Sequence, residues 1–233
     1  MDGNRFEDLG GGVRVCVSRE HGFGSDAVLL AEFAAPKRSE HCIDLCSGCA
    51  IIPLIWMSRP NVPKQVTAID IQPEAVCQMN ISVEQSGLAG KITPVLTDLR
   101  EYKLLGHARY DLCTCNPPYR AVGTGIISAS QTDRAARHET MCTLDDVCRT
   151  AAYILRFGGR LCLCHLPERL VDVLATMRAH AIEPKRLQFV HPRTNAAPSL
   201  VLVEGKRGAK PFITVEPPII IEDNAPTFGE AEM

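Results

Sequence analysis

The chain has 233 residues, of which 45% are hydrophobic and 22% charged, and its formal net charge is −2. This length and composition are typical of a globular protein with one large buried core or two small ones. A net charge so close to zero excludes a uniformly basic surface. A nucleic-acid-binding protein of this charge must therefore concentrate its basic residues locally.

Two features predict a cytoplasmic protein that is not attached to a membrane. No apolar run approaches the ~20 residues that are needed to cross a bilayer. The first five residues, MDGNR, lack the basic and apolar regions of a signal peptide.

The 11 cysteines are an odd number in a chain without an export signal, so no disulfide framework is expected. Cys46 and Cys49 have the spacing of a metal-binding or redox pair, but no second pair or Cys/His partner stands at a matching spacing. We therefore predict no metal site. Two further pairs, Cys113 with Cys115 and Cys162 with Cys164, alternate along predicted strands and are expected to be small buried side chains.

In chain order, short apolar runs alternate with amphipathic stretches, which predicts an α/β fold with a mostly parallel sheet. A hairpin strand is expected at residues 14–17, and a helix that Ser25 caps and Pro36 stops. The seven predicted sheet strands are residues 42–46, 65–69, 92–96, 110–115, 161–165, 187–190 and 200–203.

Helices are predicted between most of these strands. One covers residues 51–58, and the next begins near Pro73 and ends at Ser86-Gly87. A further helix begins at a capping box of Thr143 with Asp146 and is expected to end at the glycines 158–159. Another helix opens at Pro167. The tail, residues 213–221, looks extended, but its two prolines limit it to an edge strand or an excursion from the sheet.

Polar side chains follow four successive predicted strands. They are Asp44 to Gly48 after the first strand, Asp70 after the second, Asp98 after the third and Asn116 after the fourth. In an open parallel sheet, ligands bind at the carboxyl ends of the strands near the point where the strand order reverses. A purely structural sheet does not need this pattern, which indicates a ligand site.

The first of these turns favours a particular kind of cofactor. Gly48 lets the backbone approach a ligand closely, but the dinucleotide fingerprint G-x-G-x-x-G is absent, so a dehydrogenase is not indicated. Asp44 would repel a pyrophosphate and suits a cofactor tail with an ammonium group, such as the methionine part of S-adenosylmethionine. An Asp that only caps a strand–helix turn explains this segment equally well.

The next two acids fit the rest of such a cofactor. Asp70 can accept both ribose hydroxyls, and Asp98 can accept a hydrogen bond from an adenine amino group. Each of them alone is also explained as a helix cap or a surface carboxylate.

The segment after the fourth strand, Asn116-Pro117-Pro118-Tyr119, is the most specific signal. The prolines hold the backbone extended and lack N–H donors. The side-chain oxygen of Asn116 and the main-chain oxygen of Pro117 can accept both hydrogens of a planar NH2 group, while Tyr119 stacks on it. Catalysis by such a platform depends on orientation and the removal of water. The alternative is a proline loop capped by Asn.

Together these motifs resemble class I (Rossmann-like) methyltransferases of the N6-adenine type. Further segments resemble the bacterial tRNA(Val) adenine-N6 methyltransferase family: residues 22–31, 51–54, 98–101 and 136–139, and Pro192. The resemblance covers nearly the whole chain, from Arg5 to Glu222. It implies a seven-stranded, mostly parallel sheet with helices on both faces and a short N-terminal hairpin and helix extension.

The resemblance also implies one domain, with an extension at residues 1–40, a core at 41–205 and a tail at 206–233 that packs on the core. S-adenosylmethionine is the implied cofactor, with contacts from Asp26, Asp44, Cys46, Gly48, Asp70, Ile71, Asp98, Leu99 and Asn116. The implied catalytic residues are Asn116, Pro117 and Tyr119. The implied substrate is tRNA, at the adenosine beside the anticodon of a valine tRNA, with contacts from Tyr119, Arg134, Arg137 and His138. We expect a monomer without a metal.

The chain departs from the family pattern at the cofactor turn. Cys46 and Ala50 stand where glycine is common, and a positive φ would strain Cys46. In the long connection, residues 120–142, Arg137 and Glu139 are also explained as an ion pair that anchors the segment.

Three alternatives remain open on the residues alone. A protein-glutamine N5 methyltransferase uses the same Asn-Pro-Pro-Tyr chemistry, but such enzymes usually carry a helical substrate domain before the cofactor fold. A guanine-N2 rRNA methyltransferase is another relative. A protein of a different class, a catalytically silent RNA-binding scaffold, would keep the fold and lose the reaction.

Overall fold

The computed structural model describes residues 5–18, 22–117 and 142–222. The elements in chain order begin with an antiparallel hairpin, β1 (Arg5–Asp8) and β2 (Arg14–Val17). The first half continues with α1 (Ser25–Ala34), β3 (His41–Leu45), α2 (Ile51–Ser58), β4 (Gln65–Asp70), α3 (Pro73–Gln85), β5 (Ile92–Leu96), a 3-10 segment (Leu99–Leu105) and β6 (Tyr110–Cys115). The second half contains α4 (Leu144–Ile154), β7 (Leu155–His165), a 3-10 turn (Pro167–Arg169), α5 (Leu170–Ala179), β8 (Ile182–His191), β9 (Leu200–Arg207), β10 (Thr214–Val215) and β11 (Ile219–Ile220).

The main sheet confirms the predicted architecture. Its strand order is β10-β8-β9-β7-β6-β3-β4-β5, and β11 also pairs with β8. The five strands from β5 to β7 are mutually parallel, whereas β9 runs antiparallel to both β7 and β8. Seven longer strands therefore form a mostly parallel sheet, to which the tail adds two short strands. The strand order reverses between β3 and β6.

The sheet has one apolar core on each face. Because successive side chains of a strand point to opposite faces, Cys42 packs with α1, α2 and α3, while Ile43 packs with α4 and α5. Cys113 and Cys115 lie on the α4 face, and Cys162 and Cys164 lie on the opposite face. All four of these thiols are fully buried, as predicted. All 11 cysteines lie within the described residues, and all are free thiols.

The end of α4 differs from the prediction. The capping box of Thr143 and Asp146 is present, but the helix ends at Ile154, and the glycines 158–159 lie inside β7. Pairing overrides the local signal here, since Leu155, the first residue of β7, already pairs with Tyr110 of β6, and Arg207 donates to the carbonyl of Leu155. Strand β8 is likewise longer than predicted, because its pairing with β9 extends back to Ile182.

The tail forms the edge strands that its two prolines allow. β10 and β11 lie on either side of Pro217-Pro218, and both pair in parallel with β8. Gln188 Nε2 donates to the carbonyl of Pro217 at 2.9 Å. Lys185 Nζ lies against three further tail carbonyls, those of Lys210, Pro211 and Phe212. The division into extension, core and tail within one domain stays a prediction.

The opposite edge of the sheet is β5, which carries Pro94 in its middle. Across the three described ranges, the helices are too short or too polar to span a bilayer.

Candidate active site

The predicted strand-end residues meet at one edge of the sheet. In the register, Leu45 lies beside Ile69 on one side and Cys115 on the other, so β3, β4 and β6 end at the same level. Leu96, the last residue of β5, pairs with Asp70. The turns after these strands therefore surround the point at which the strand order reverses, which is where open parallel sheets bind ligands.

Asp44 lies directly behind the first turn and is 1% exposed. The hydroxyl of Ser47 donates to its Oδ2 at 2.5 Å, and the hydroxyl of Thr114 donates to its Oδ1 at 2.6 Å. Burial raises the pKa of Asp44 to about 7, although these two hydrogen bonds oppose the shift and the nearby Asp70 adds to it. The carboxyl group is thus close to its ionisation midpoint near neutral pH.

The turn after β3 has a left-handed backbone at three positions, and two of these positions are not glycine. Cys46, Gly48 and Ala50 have φ values of 54°, 58° and 63°. Only glycine adopts this left-handed region without strain, so the expected conflict at Cys46 is present. A Cβ atom added at Gly48 would meet nothing within 4 Å. Space therefore remains open beside the turn.

Asp70 fixes this turn from the neighbouring strand. Its Oδ2 accepts the N–H of Gly48 at 2.9 Å, and its Oδ1 accepts the N–H of Gln72 at 3.0 Å. The N–H of Ser47 donates to the carbonyl of Ile69, also at 2.9 Å. Each carboxylate oxygen has lone-pair capacity beyond the single backbone donor. Beside it, Ile71 is exposed at the same strand end.

Asp98 caps the 3-10 segment, and its Oδ1 accepts the N–H of Arg100 at 2.9 Å. The Arg100 guanidinium pairs with the same carboxylate and holds its pKa below the usual range. Leu99 is buried, and Thr150 of α4 donates to its carbonyl at 2.9 Å. The structure thus shows the capping role of Asp98, and its contact with adenine stays a prediction.

Asn116 and Pro117 follow β6 directly, with Asn116 partly exposed and Pro117 buried. The thiol of Cys164, on β7, donates to Asn116 Oδ1 at 3.2 Å. Asp26 lies in the first turn of α1, where the Ser25 hydroxyl is 3.5 Å away. The other predicted site residues lie outside the described residues: Tyr119, Arg134, Arg137 and His138.

Several residues at the site were missed by sequence reasoning. Thr114 carried a signal, since it is a polar residue two positions before Asn116 in an otherwise apolar strand end. Cys164, which contacts Asn116, carried none, and neither did Cys142, which lies outside the site and contacts only the thiol of Cys46 among the hydrogen bonds of the described residues. His165 ends β7 and accepts the N–H of Leu166 on Nδ1 at 2.9 Å. Burial, and then the charge of Arg169, lower its pKa, which favours the neutral ring.

The Cys46 and Cys49 pair is split by the fold. Cys49 is 1% exposed and packs on the α1 face, whereas Cys46 packs against the opposite core. Within the described part of the chain, no three His, Cys, Asp or Glu side chains are placed to hold a metal ion.

These residues fit S-adenosylmethionine by the chemistry of their donors and acceptors. The buried carboxyl group of Asp44, behind the open turn, suits the cationic amino-acid tail of the cofactor. The two carboxylate oxygens of Asp70, at the end of the next strand, suit the two hydroxyls of a ribose. The strand order, with one antiparallel strand near the far edge, and the strand-end acids define a class I, S-adenosylmethionine-dependent methyltransferase.

Comparison with known proteins gives the family. The model of the methyltransferase small domain family matches residues 19–168, more than half of the chain, and the chain belongs to this family. It is similar to the tRNA1(Val) (adenine(37)-N6)-methyltransferase of Parabacteroides distasonis, with 29% identity over 182 residues that cover 78% of this chain and 75% of the relative.

A second relative is the protein of the same name from Escherichia fergusonii, with 26% identity over 147 residues that cover 63% of this chain and 59% of the relative. The match thus spans less than two thirds of that relative. Among solved structures, a predicted O-methyltransferase from Agrobacterium tumefaciens has a TM-score of 0.64 at 20% identity, covering 89% of this chain and 91% of that chain. This likeness concerns the fold alone.

Proposed function

We propose that the chain transfers a methyl group from S-adenosylmethionine to the N6 nitrogen of an adenosine in tRNA, at the position beside the anticodon of a valine tRNA. The observation that carries this proposal is the position of Asn116-Pro117, directly after β6 and next to the turn at Asp44. The names of the two related tRNA methyltransferases support adenine in tRNA as the acceptor.

In the proposed reaction, Asn116 Oδ1 and the main-chain oxygen of Pro117 accept the two hydrogens of the adenine amino group. This orients the nitrogen lone pair and keeps it out of the ring conjugation. The bound cofactor supplies an electrophilic methyl group on a sulfonium. After transfer, the nitrogen loses a proton to water, so the chain needs no strong base at this atom.

The cofactor is held, in this proposal, by residues of three neighbouring strand ends. The turn from Asp44 to Gly48 takes the methionine part, Asp70 the ribose, and Asp98 with Leu99 the adenine. Asp26 and Ile71 complete this set. Tyr119 is proposed to stack on the acceptor base, and Arg134, Arg137 and His138 are proposed to contact the RNA.

The decisive experiment is methylation of bulk unmodified tRNA by the purified full chain, followed by digestion and identification of the nucleoside by mass spectrometry. We expect N6-methyladenosine with the wild type and none with Asn116→Ala. If methyl groups enter only protein, or another base, the proposed acceptor is wrong.

A binding measurement separates loss of chemistry from loss of fold. Asn116→Ala should still be stabilised by S-adenosylmethionine, by about 2.7 kcal/mol at a hundredfold excess over the dissociation constant. A wild-type protein that shows no stabilisation at any cofactor concentration would instead be the silent scaffold.

A further inference from the structure

Two cysteines that are far apart in the chain meet at the cofactor turn. Cys46 lies in the turn after β3, and Cys142 lies two residues before α4. Their Sγ atoms are 3.9 Å apart, which is direct contact between the thiols. Both residues are partly exposed, so a small reagent in solution can reach them.

A third thiol lies behind this pair. Cys115 is hydrogen-bonded with Cys46, but it is fully buried in β6, between β3 and β7. Backbone ladders on both sides hold it in place. Cys142 precedes its helix and lies outside regular structure. Of the two neighbours of Cys46, Cys142 is therefore the one that can both be reached and adjust its position.

We propose that Cys46 and Cys142 form a reversible disulfide, and that this modification weakens the binding of S-adenosylmethionine. The oxidant is a low-molecular-weight disulfide. One protein thiolate attacks it, which forms a mixed disulfide and releases one small thiol. The second protein thiolate then displaces the second small thiol. Two S–H bonds break, one S–S bond forms in the protein, and the two electrons reduce the small disulfide.

The position of Cys46 explains why the cofactor should respond. An S–S bond of about 2.05 Å requires the sulfur atoms to approach from 3.9 Å. Cys46 stands between Asp44 and Gly48 in a turn with strained backbone, and the N–H of Gly48 donates to the carboxylate of Asp70 on the neighbouring strand. Closing the bond draws the turn and the residues before α4 toward each other, and the part of this movement that the turn takes up shifts it from the geometry that receives the cofactor.

The chemistry should be slow at neutral pH. The hydrogen bond with Cys115 and burial raise the pKa of the Cys46 thiol, and the hydrogen bond with Cys46 and burial raise the pKa of Cys142. Because the thiolate is the attacking species, the rate of oxidation should rise with pH. The test must therefore run to equilibrium.

The full chain is equilibrated in buffers with different ratios of reduced to oxidised glutathione, and free thiols are then trapped. Peptide mapping by mass spectrometry should find Cys46 linked to Cys142 in the oxidised samples. Titration calorimetry should show S-adenosylmethionine affinity at least about tenfold weaker, a coupling of ordinary size between two sites. A dithiol should restore the affinity. By reciprocity, saturating cofactor should shift the equilibrium toward the dithiol.

Cys142→Ala should bind the cofactor as the reduced wild type does, and it cannot form the link. Because Cys46 of this variant can still form a mixed disulfide with glutathione, its affinity is compared in samples in which peptide mapping finds Cys46 as the free thiol, and there it should not respond to oxidation. Cys77→Ala, which removes an exposed thiol of α3, is the matched control and should respond as the wild type. Three results overturn the proposal: no Cys46–Cys142 link at equilibrium, a link without a change in affinity, or the wild-type loss of affinity in Cys142→Ala samples whose Cys46 is a free thiol. None of these readouts depends on the tRNA acceptor, so their failure is distinct from failure of the proposed function.

Discussion

The amide of Asn116 is oriented by a neighbour that a sequence motif does not include. The Cys164 thiol donates to Oδ1, the atom that is proposed to accept a hydrogen of the substrate amino group. A thiol is a weak donor, so it can orient this oxygen without competing strongly for it. We regard Cys164 as a positioning residue.

Cys164→Ala should lower kcat about fivefold, which corresponds to roughly 1 kcal/mol for one hydrogen bond. The KM for tRNA and the affinity for S-adenosylmethionine should not change, and Cys164→Ser should restore most of kcat. Cys162→Ala is the matched control, since it removes a buried thiol from the same face of β7. Equal losses in both variants would show that packing, not orientation, is responsible.

The ionisation of Asp44 should be visible in cofactor binding. Its pKa of about 7 means that the carboxyl group is mostly neutral at pH 6 and mostly charged at pH 8. A charged carboxylate attracts the ammonium group of the cofactor, so affinity for S-adenosylmethionine should rise over this range in calorimetric titrations. Asp44→Asn should bind more weakly and without this rise. A flat profile in the wild type would contradict the assignment.

The same shift has a consequence for folding, with its sign fixed by linkage. The folded pKa lies above the unfolded value of about 3.9. Between about pH 4 and pH 7 the unfolded chain therefore releases a proton that the folded chain retains. The contribution of Asp44 to stability thus declines as pH rises through this window. At neutral pH, Asp44 therefore lowers the free energy of unfolding, and the same ionisation places a negative charge at the cofactor site.

At the scale of the elements, two of the described helices, α1 and α5, are followed by an alanine with a positive φ. Ala35, the C-cap of α1, has φ 39° and is exposed, and its N–H donates to the carbonyl of Ala31. Ala181, after α5, has φ 57°. Glycine is the usual residue at such positions because it has no Cβ to strain.

Ala35→Gly should therefore stabilise the protein, by about 1 kcal/mol once the relief of left-handed strain is set against the flexibility of glycine. Urea unfolding measures this as a higher midpoint. Ala175→Gly, at an exposed position inside α5, should destabilise by about 1 kcal/mol. A loss of stability in both variants would mean that the α1 cap is not strained.

The elements also show which structural features a sequence can predict. The capping box at Thr143 was predictable because it involves four consecutive residues, and the strand-end acids were predictable because parallel strands end at one edge. The end of α4 was not predictable, since the pairing of Leu155 with Tyr110 of β6 decides it. Contacts such as Thr114 with Asp44, or Cys142 with Cys46, depend on register and on segments 70 and 96 residues apart.

At the scale of the whole molecule, a partly buried ion network joins α1 to the sheet. Glu204 of β9 accepts from both Arg160 and Arg186 at 3.1 Å, and Arg160 also pairs with Glu40 at 2.9 Å. The two arginines further donate to the last carbonyls of α1, those of Phe33 and Ala34. The network thus fixes the C-terminal end of this helix against β7, β8 and β9.

Glu204→Ala should destabilise the protein by about 3 kcal/mol, because it leaves two partly buried guanidinium groups without their shared carboxylate. Glu32→Ala removes a partner from the Arg59 pair, in which both side chains are 56% exposed. This control substitution should lower the free energy of unfolding by less than about 0.5 kcal/mol. Chemical denaturation at moderate salt compares the two, and similar small effects would exclude a stabilising network.

The two tail strands have a consequence for how these molecules behave at high concentration. A free sheet edge offers unpaired N–H and carbonyl groups to a strand of another molecule. β10 and β11 cover β8 on either side of the two prolines, with Glu216 N–H bonded to Leu187 and Ile221 N–H bonded to His191. At the other edge, Pro94 interrupts the row of donors. Both edges of the described sheet therefore resist intermolecular strand addition, and at the β8 edge it is the tail that prevents such addition.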